Sequence, residues 1–186
     1  MSQNNNVKIL FVGDIIGSFG RAVLKSALPE IKEALSPDFI IVNGENSAHG
    51  YGITQKIYTE LMDLGISAVS MGNHIWDKKD ILNNIGFFEN MVRPANYPKE
   101  VPGKEYLVIE NYEGKKLGLL NLLGRVFMPP IDCPFKSAEE IIAKIKKETN
   151  VIFVDFHAEA SSEKCAMGFF LDGKVSAVVG THTHVM

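Results

Sequence analysis

The chain has 186 residues, of which 46% are hydrophobic and 22% are charged, and its formal net charge is −3 at pH 7. These values suit one globular domain with a sizeable core, whereas the scattered basic residues argue against duplex nucleic acid or an anionic membrane as a partner. No apolar run approaches the ~20 residues that span a bilayer, and the polar start lacks the apolar core of a signal peptide, so we expect a cytoplasmic protein.

Strand and helix patterns alternate in the first part of the chain. After a tail over residues 1–6, for which we expect disorder, the predicted elements are strands over 7–12, 39–43 and 68–71 and helices over 21–35 and 54–64. Thr54 is a typical N-cap, and Gly65 is a typical helix end. This alternation predicts βαβ units and a mainly parallel sheet, and therefore an α/β fold.

The second part of the chain follows a different pattern. Two apolar runs over 106–111 and 115–122 flank the turn Tyr112-Glu113-Gly114 and predict an antiparallel hairpin. Ser137 and Glu140 have the spacing of a capping box, which predicts a helix that begins there and runs to Thr149. A strand over 151–156, a helix over 162–171 and a strand over 176–180 complete a single predicted domain over residues 7–186.

Polar side chains follow five of the predicted buried strands at the point where each strand ends. They are Asp14, Glu45 with Asn46, Asn73 with His74, His157, and His182 with His184. Each has an ordinary explanation by itself, such as a turn residue or a hydrogen-bonded core histidine. Ligands bind beyond the carboxyl ends of strands in an open α/β sheet, so five such ends together favour one functional site. On an extended backbone, alternate residues such as His182 and His184 point to the same side.

This set of side chains is typical of a transition-metal site. Mixed imidazole and carboxylate ligands suit Mn, Fe, Zn or Ni, whereas Mg and Ca prefer oxygen ligands. The set exceeds what one catalytic metal needs but suits two metals about 4 Å apart that share a carboxylate. We therefore expect two divalent transition metals per chain, iron or manganese first and zinc as the alternative. Their excess positive charge would attract phosphate oxygens and lower the pKa of a bridging water.

The same residues resemble the sequence blocks of the calcineurin-type metallophosphoesterase superfamily. The blocks stand here as Gly13-Asp14, Gly44-Glu45-Asn46, Gly72-Asn73-His74, Phe156-His157-Ala158-Glu159 and Gly180-Thr181-His182-Thr183-His184. Two departures from the blocks are Ile16, where a second histidine is usual, and Glu45, where a bridging aspartate is usual. These departures, together with the segments over 93–98 and 121–128, resemble the YmdB-like subfamily of bacterial phosphodiesterases.

The resemblance implies a metallophosphoesterase-type αββα sandwich, in which two mixed β-sheets are flanked by helices. It also implies two ligand sets that share Glu45 as a bridge. The first set is Asp14, Glu45 and His184 with Asn46 in support, and the second is Glu45, Asn73, His157 and His182. Because position 16 is not a histidine, the first metal has fewer imidazole ligands than is usual in the superfamily.

Three further residues receive roles from the resemblance and from their positions. His74 would lie beside the metals without binding them and would stabilise or protonate the leaving oxygen. Asp77 is a candidate to orient His74. Arg125 is a candidate phosphate contact, with a structural salt bridge as the alternative.

The implied function is hydrolysis of a phosphodiester, with 2′,3′ or 3′,5′ cyclic nucleotides as substrates and a metal-bridging hydroxide as the in-line nucleophile. A phosphomonoesterase or nucleotidase with the same centre is one alternative. A metal-stabilised nucleotide-binding regulatory protein is another. Because His184 lies two positions from the last residue and subfamily members run on beyond this motif, we expect a further C-terminal part in the natural protein. Association into a homo-oligomer is left open.

Overall fold

The computed structural model describes residues 6–185 as two β-sheets that pack face to face, with helices on both outer faces. The predicted disordered tail over residues 1–6 lies outside the described residues except for Asn6. The α/β sandwich that the resemblance implied is confirmed.

The first sheet consists of β1 (Ile9–Val12), β2 (Phe39–Asn43), β3 (Ala68–Ser70) and β4 (Met91–Val92), in that order. All of its pairings among the described residues are parallel, so this sheet is not mixed, in contrast to the two mixed sheets that the resemblance implied. β2 lies between two neighbours and is buried along its whole length, as its unbroken apolar run requires. The predicted parallel section is therefore confirmed, although the sequence analysis missed β4.

The second sheet consists of β5 (Tyr106–Glu110), β6 (Lys116–Leu123), β7 (Ile152–Ala158) and β8 (Ala177–His182), in that order. β5 and β6 form the predicted antiparallel hairpin, and Gly114 in its turn adopts a φ of 78° that favours glycine. β6, β7 and β8 pair in parallel, so this sheet is mixed.

The helices cover the outer faces of the two sheets. They are α1 (Gly17–Leu35), α2 (Gln55–Asp63), α3 (Lys79–Asn84), α4 (Pro134–Ile145) and α5 (Ser161–Leu171), and a 3₁₀ turn spans Ile85–Phe87. α1 and α2 pack on the first sheet, whereas α4 and α5 pack on the second. Within residues 6–185, no helix is both long enough and apolar enough to cross a membrane.

Of two predicted helix starts, one is confirmed and the other is wrong. The predicted cap at Thr54 is confirmed, because its hydroxyl accepts a hydrogen bond from the Ile57 amide at 3.3 Å. The predicted capping box at Ser137 is wrong, because α4 begins three residues earlier, with Pro134 in its first turn and Cys133 as N-cap. Proline lacks the N–H that would be unpaired there and has a helical φ, so it can begin a helix without a capping side chain.

The layer between the sheets changes from apolar to polar along the strands. Successive residues of a strand point to opposite faces, so every second residue enters this layer. At one end the layer is apolar and contains Phe39, Ile41, Ala68, Leu117, Leu119 and Phe153. At the carboxyl ends of the strands, the same alternation brings buried polar residues to the site, namely Asn43, Ser70, Asn121, Asp155, His157 and Thr181.

Arg93, which follows β4, is buried within a loop that closes one side of the sandwich. Its guanidinium donates to the carbonyl oxygens of Pro94, Val101 and Pro102 at 2.9, 3.0 and 3.1 Å. Glu105 lies 3.6 Å away and balances its charge. Because the planar guanidinium reaches three carbonyls at once, lysine cannot replace it.

We expect Arg93→Lys to lower the free energy of unfolding by about 2–4 kcal/mol, since buried carbonyls would lose charged donors. Urea unfolding followed by circular dichroism measures the change. Lys99→Met is the matched control, because it removes the cation of the exposed Lys99–Glu140 pair, and its midpoint should stay at the wild-type value. Equal midpoints for both variants would contradict the assigned role of Arg93.

Candidate metal centre

The eight polar residues predicted at strand ends meet at one edge of the sandwich. The strand ends that they follow belong to two sheets, rather than to the one open sheet that the sequence suggested. Asp14, Glu45 and Asn73 follow strands of the first sheet, whereas His157 and His182 lie within β7 and β8 of the second. The site therefore forms only where the parallel strands of both sheets end side by side.

His157 lies at the centre of one group of side chains. Its Nε2 atom lies 3.1 Å from Glu45 Oε1, 3.2 Å from Asn73 Oδ1 and 3.1 Å from His182 Nδ1. His157 and Glu45 are almost completely buried. This group coincides with the ligand set that the resemblance implied for the second metal.

Asp14 and His184 form a neighbouring group. Asp14 Oδ2 lies 3.0 Å from His184 Nε2, while the Asn46 Nδ2 atom lies 3.3 Å from that nitrogen and 3.1 Å from Glu45 Oε1. Glu45 therefore stands between the two groups, where a bridging carboxylate would be expected. Ile16, at the position of the absent histidine, is half exposed.

His182 and His184 reach the site through a turned backbone. Their φ angles are 91° and 53°, in the left-handed region that residues with a side chain rarely adopt. The prediction of an extended His182-Thr183-His184 segment is therefore wrong, although both imidazoles do reach the site. The His182 amide donates to Asp14 Oδ2 at 3.0 Å, which holds the turn. Strained backbone of this kind clusters at functional sites.

Three observations indicate that these residues fit a metal. Ligand atoms of Glu45, His157 and His182 all lie within 4.8 Å of one another. Asp14 Oδ1 is buried without a hydrogen-bond partner among residues 6–185, which is costly unless something else binds it. Gly72 lies so close to Glu45 and His157 that a Cβ atom there would overlap both side chains. The donor atoms are nitrogen and oxygen, as first-row transition metals prefer.

The charges of Glu45 and His157 depend on each other. Burial by itself would raise the pKa of Glu45, but the hydrogen bond and positive charge of His157 lower it below its ordinary value. Burial would likewise lower the pKa of His157, but Glu45 raises it. For His182, burial and the charge of His157 lower the pKa. Without metal, His157 therefore holds the proton that neutralises the buried carboxylate.

His74 lies at the edge of the centre and is oriented by its neighbours. Its Nδ1 atom lies 2.7 Å from Asp77 Oδ2, so Asp77 is placed to orient it as proposed from the sequence. Its backbone amide donates to Glu45 Oε2 at 3.2 Å, and the Tyr51 ring packs edge-on against the imidazole. Among the described residues, Nε2 of His74 has no hydrogen-bond partner and is available to a ligand.

Arg125 follows β6 beside the end of β7, because the Gly124 amide donates to the carbonyl of His157. Its own amide donates to both carboxylate oxygens of Glu163 at 3.0 Å. Its side chain is exposed, and no ion pair of its guanidinium forms within residues 6–185. The alternative role in a structural salt bridge thus gains no support.

Several residues of the site were missed from the sequence. Four of them are buried and form a hydrogen-bonded network, namely Asn43, Ser70, Asp155 and Thr181. The fifth is the exposed Glu159, whose carboxylate lies 3.1 Å from His182 Nε2. Asp155 could have been found from its spacing, because residues two apart on a strand share a face and Asp155 precedes His157 by two. The partners from the first sheet carry no comparable signal.

The architecture and the donor set define a protein of the metallophosphoesterase type. The family model described as "YmdB-like protein" matches residues 10–186, and the chain belongs to this family. It is 52% identical over 179 residues to the 2′,3′-cyclic-nucleotide 2′-phosphodiesterase of Bacillus subtilis (strain 168), covering 96% of this chain and 67% of that protein. The prediction of a phosphoric diester hydrolase is confirmed at the level of enzyme class.

Two further comparisons agree with this assignment. A putative phosphatase/phosphodiesterase of Mycoplasma pneumoniae is 37% identical and is matched over 97% of this chain and 66% of its own length. A crystal structure described as a novel phosphatase from Mycoplasma pneumoniae has a TM-score of 0.87 at 38% identity, over 96% of this chain and 65% of that chain. The chain thus spans about two thirds of the length of these relatives.

The shifted pKa values of His157 and Glu45 predict how the stability of the metal-free protein varies with pH. The raised pKa of His157 stabilises the fold fully below the ordinary histidine value of about 6.5, and this contribution disappears as the pH rises through the raised pKa. The lowered pKa of Glu45 stabilises above about pH 4.3 and is lost as the pH falls through the lowered pKa.

We therefore expect the thermal midpoint of the metal-free protein to exceed that of metal-free His157→Gln most between about pH 4.5 and 6.5. Differential scanning calorimetry at several pH values in a chelator measures this difference. A difference that stays constant from pH 5 to pH 9 would show that the pair does not share a proton.

Proposed function

We propose that this chain hydrolyses the phosphodiester of a 2′,3′-cyclic nucleotide at a dinuclear metal centre. The observation that carries the proposal is the juxtaposition of two ligand groups that share Glu45, with His74 held beside them by its backbone amide, which donates to Glu45 Oε2. The preference for the 2′,3′ ring comes from the name of the Bacillus subtilis relative. The 3′,5′ ring has no comparable support.

Asp14, Glu45, Asn73, His157, His182 and His184 would hold the metals, with Asn46 in support. When bound, two divalent ions would supply the positive charge that binds phosphate oxygens and would lower the pKa of the water that attacks phosphorus. Iron or manganese is proposed first and zinc next, because the set mixes imidazole with carboxylate.

His74 would protonate the leaving oxygen. When the P–O2′ bond breaks, the 2′ oxygen leaves as an alkoxide and takes up a proton, while the attacking water supplies the new oxygen on phosphorus. Asp77 Oδ2 lies 2.7 Å from Nδ1 of His74 and would hold the ring in a fixed orientation while Nε2 acts on the leaving oxygen. Tyr51 limits rotation of the ring, because it packs against one side.

We expect His74→Ala to retain both metals but to lower kcat by about 10²–10⁴, the usual contribution of a general acid. Metal analysis and steady-state kinetics on one sample measure both quantities. His49→Ala is the matched control, because His49 is an exposed histidine of the neighbouring loop and its loss should leave kcat unchanged. Full activity in the His74 variant would remove the proposed acid.

Substitution of Asn73 tests metal binding separately from proton donation by His74. We expect Asn73→Ala to lower the affinity for one of the two metals by about 10- to 100-fold, because the Asn73 Oδ1 atom lies within the second ligand group. Titration of the metal-free protein with Mn²⁺ measures the two affinities. Two unchanged affinities would exclude Asn73 as a ligand.

The substrate class is tested by comparing a bis-aryl with a mono-aryl phosphate, and then 2′,3′-cyclic AMP with 3′,5′-cyclic AMP. We expect the diester and the 2′,3′ ring to have the higher kcat/KM, with a nucleoside 3′-phosphate as product. The names of the Mycoplasma pneumoniae relatives keep a phosphomonoesterase as the second candidate. A preference for the mono-aryl phosphate would select that candidate.

A further inference from the structure

A buried carboxylate outside the predicted ligand set connects the two sheets behind the site. Asp155 lies on β7 and is fully buried. Its Oδ2 atom accepts hydrogen bonds from Ser70 Oγ at 2.5 Å and from Asn43 Nδ2 at 2.9 Å, both from the first sheet. Its Oδ1 atom accepts from Thr181 Oγ1 on β8 at 2.6 Å. The three donors give both carboxylate oxygens a partner and fix the position of the group.

The Thr181 hydroxyl connects this carboxylate to His157. Thr181 and His157 are register partners on β8 and β7, and Thr181 Oγ1 lies 2.9 Å from His157 Nδ1. A hydroxyl has one proton. Because Thr181 donates that proton to Asp155, its oxygen can only accept from His157, and Nδ1 must carry the hydrogen.

We propose that Asp155 and Thr181 are positioning residues that hold His157 in the Nδ1–H tautomer and direct the bare Nε2 atom into the centre. Nε2 is the atom that faces Glu45, Asn73 and His182. Metal-binding histidines commonly donate their other N–H to a carboxylate or carbonyl, which orients the ring. Here a threonine hydroxyl carries that link to the carboxylate. This role rests on the proposed metal centre.

The same network ties His157 to residues of the first sheet. Asn43 donates to Asp155 through Nδ2 and accepts the Glu45 amide through Oδ1 at 3.1 Å. One amide side chain thus connects the carboxylate behind His157 with the backbone of the proposed bridging ligand. Movement of one sheet against the other would disturb both ligands together.

The tautomer is measured on the wild-type protein, so the test does not depend on whether a variant folds. Long-range ¹H–¹⁵N spectra of metal-free protein, at an alkaline pH where the ring is neutral, report which ring nitrogen of His157 carries the proton; His157→Gln assigns the signal. We expect protonated Nδ1 and bare Nε2. The reverse tautomer would overturn the proposal, because a protonated Asp155 would then donate along the same path in the opposite direction.

Variants test the consequence for metal binding. Thr181→Val removes the hydroxyl at nearly constant volume, and we expect it to weaken one Mn²⁺ site by about 10- to 100-fold. Thr181→Ser keeps the hydroxyl and should restore the affinity to within about threefold. Thr149→Val is the matched control: it removes a hydroxyl that bonds to Lys116 and Val151 at the opposite end of the same sheet, and should leave both affinities unchanged.

The outcomes separate this proposal from the function on which it rests. If wild-type protein binds no Mn²⁺, the dinuclear centre fails, whereas the tautomer measurement still decides the role of Asp155 and Thr181. If wild type binds Mn²⁺ and folded Thr181→Val binds it equally well, the positioning role fails while the centre stands. Equal weakening by Thr181→Ser and Thr181→Val would also overturn the proposal, since the hydroxyl would then not be the operative group.

Discussion

The structure depends on hydrogen bonds to one buried carboxylate between two sheets. A carboxylate without partners in this layer would be strongly unfavourable, so Asp155 is compatible with the fold only while donors from β2, β3 and β8 surround it. The hydrophobic effect, which acts elsewhere in the layer, has no preferred direction. Hydrogen bonds are directional, and these therefore define how the sheets are placed where the ligands converge. Burial raises the pKa of Asp155, while His157 and the three donors oppose that effect.

The division of the inter-sheet layer into an apolar and a polar end explains where the site forms. Each inner strand contributes apolar side chains first and polar ones at its carboxyl end, as in Phe153, Asp155 and His157 of β7. The apolar end supplies most of the driving force for association of the sheets. At the polar end, the same association holds together polar side chains that would not remain close by themselves. A mainly parallel arrangement is required, because only parallel strands bring all their carboxyl ends to one edge.

The centre concentrates charge that its own residues balance only in part. Glu45 and Asp14 each lie beside an imidazole, at 3.1 and 3.0 Å. At Glu45, the raised pKa of His157 lets a proton on that imidazole take the place of a cation when no metal is bound. Metal binding would replace this proton, since a histidine ligand must be neutral. Asp14 Oδ1 has no hydrogen-bond partner within residues 6–185, and His182 and His184 have left-handed backbone; both features are unfavourable in the protein by itself. Their cost is understandable if the fold is adapted to a ligand bound at this edge.

The sequence by itself determined the strand and helix order of the first part, the hairpin and the identity of the polar residues at the strand ends, because periodicity and turn residues are local signals. It did not determine the start of α4, where Pro134 replaced the expected capping box, or the short β4, which exists only by pairing with β3. The assignment of the ligands to two sheets, the turned backbone of His182 and His184, and the network of Asp155 with Asn43, Ser70 and Thr181 were decided by the tertiary structure. The physical reason is that these features join residues far apart in the chain, such as Asn43 and Asp155, 112 positions apart, and Asp14 and His182, 168 positions apart. Such contacts have no counterpart in local spacing.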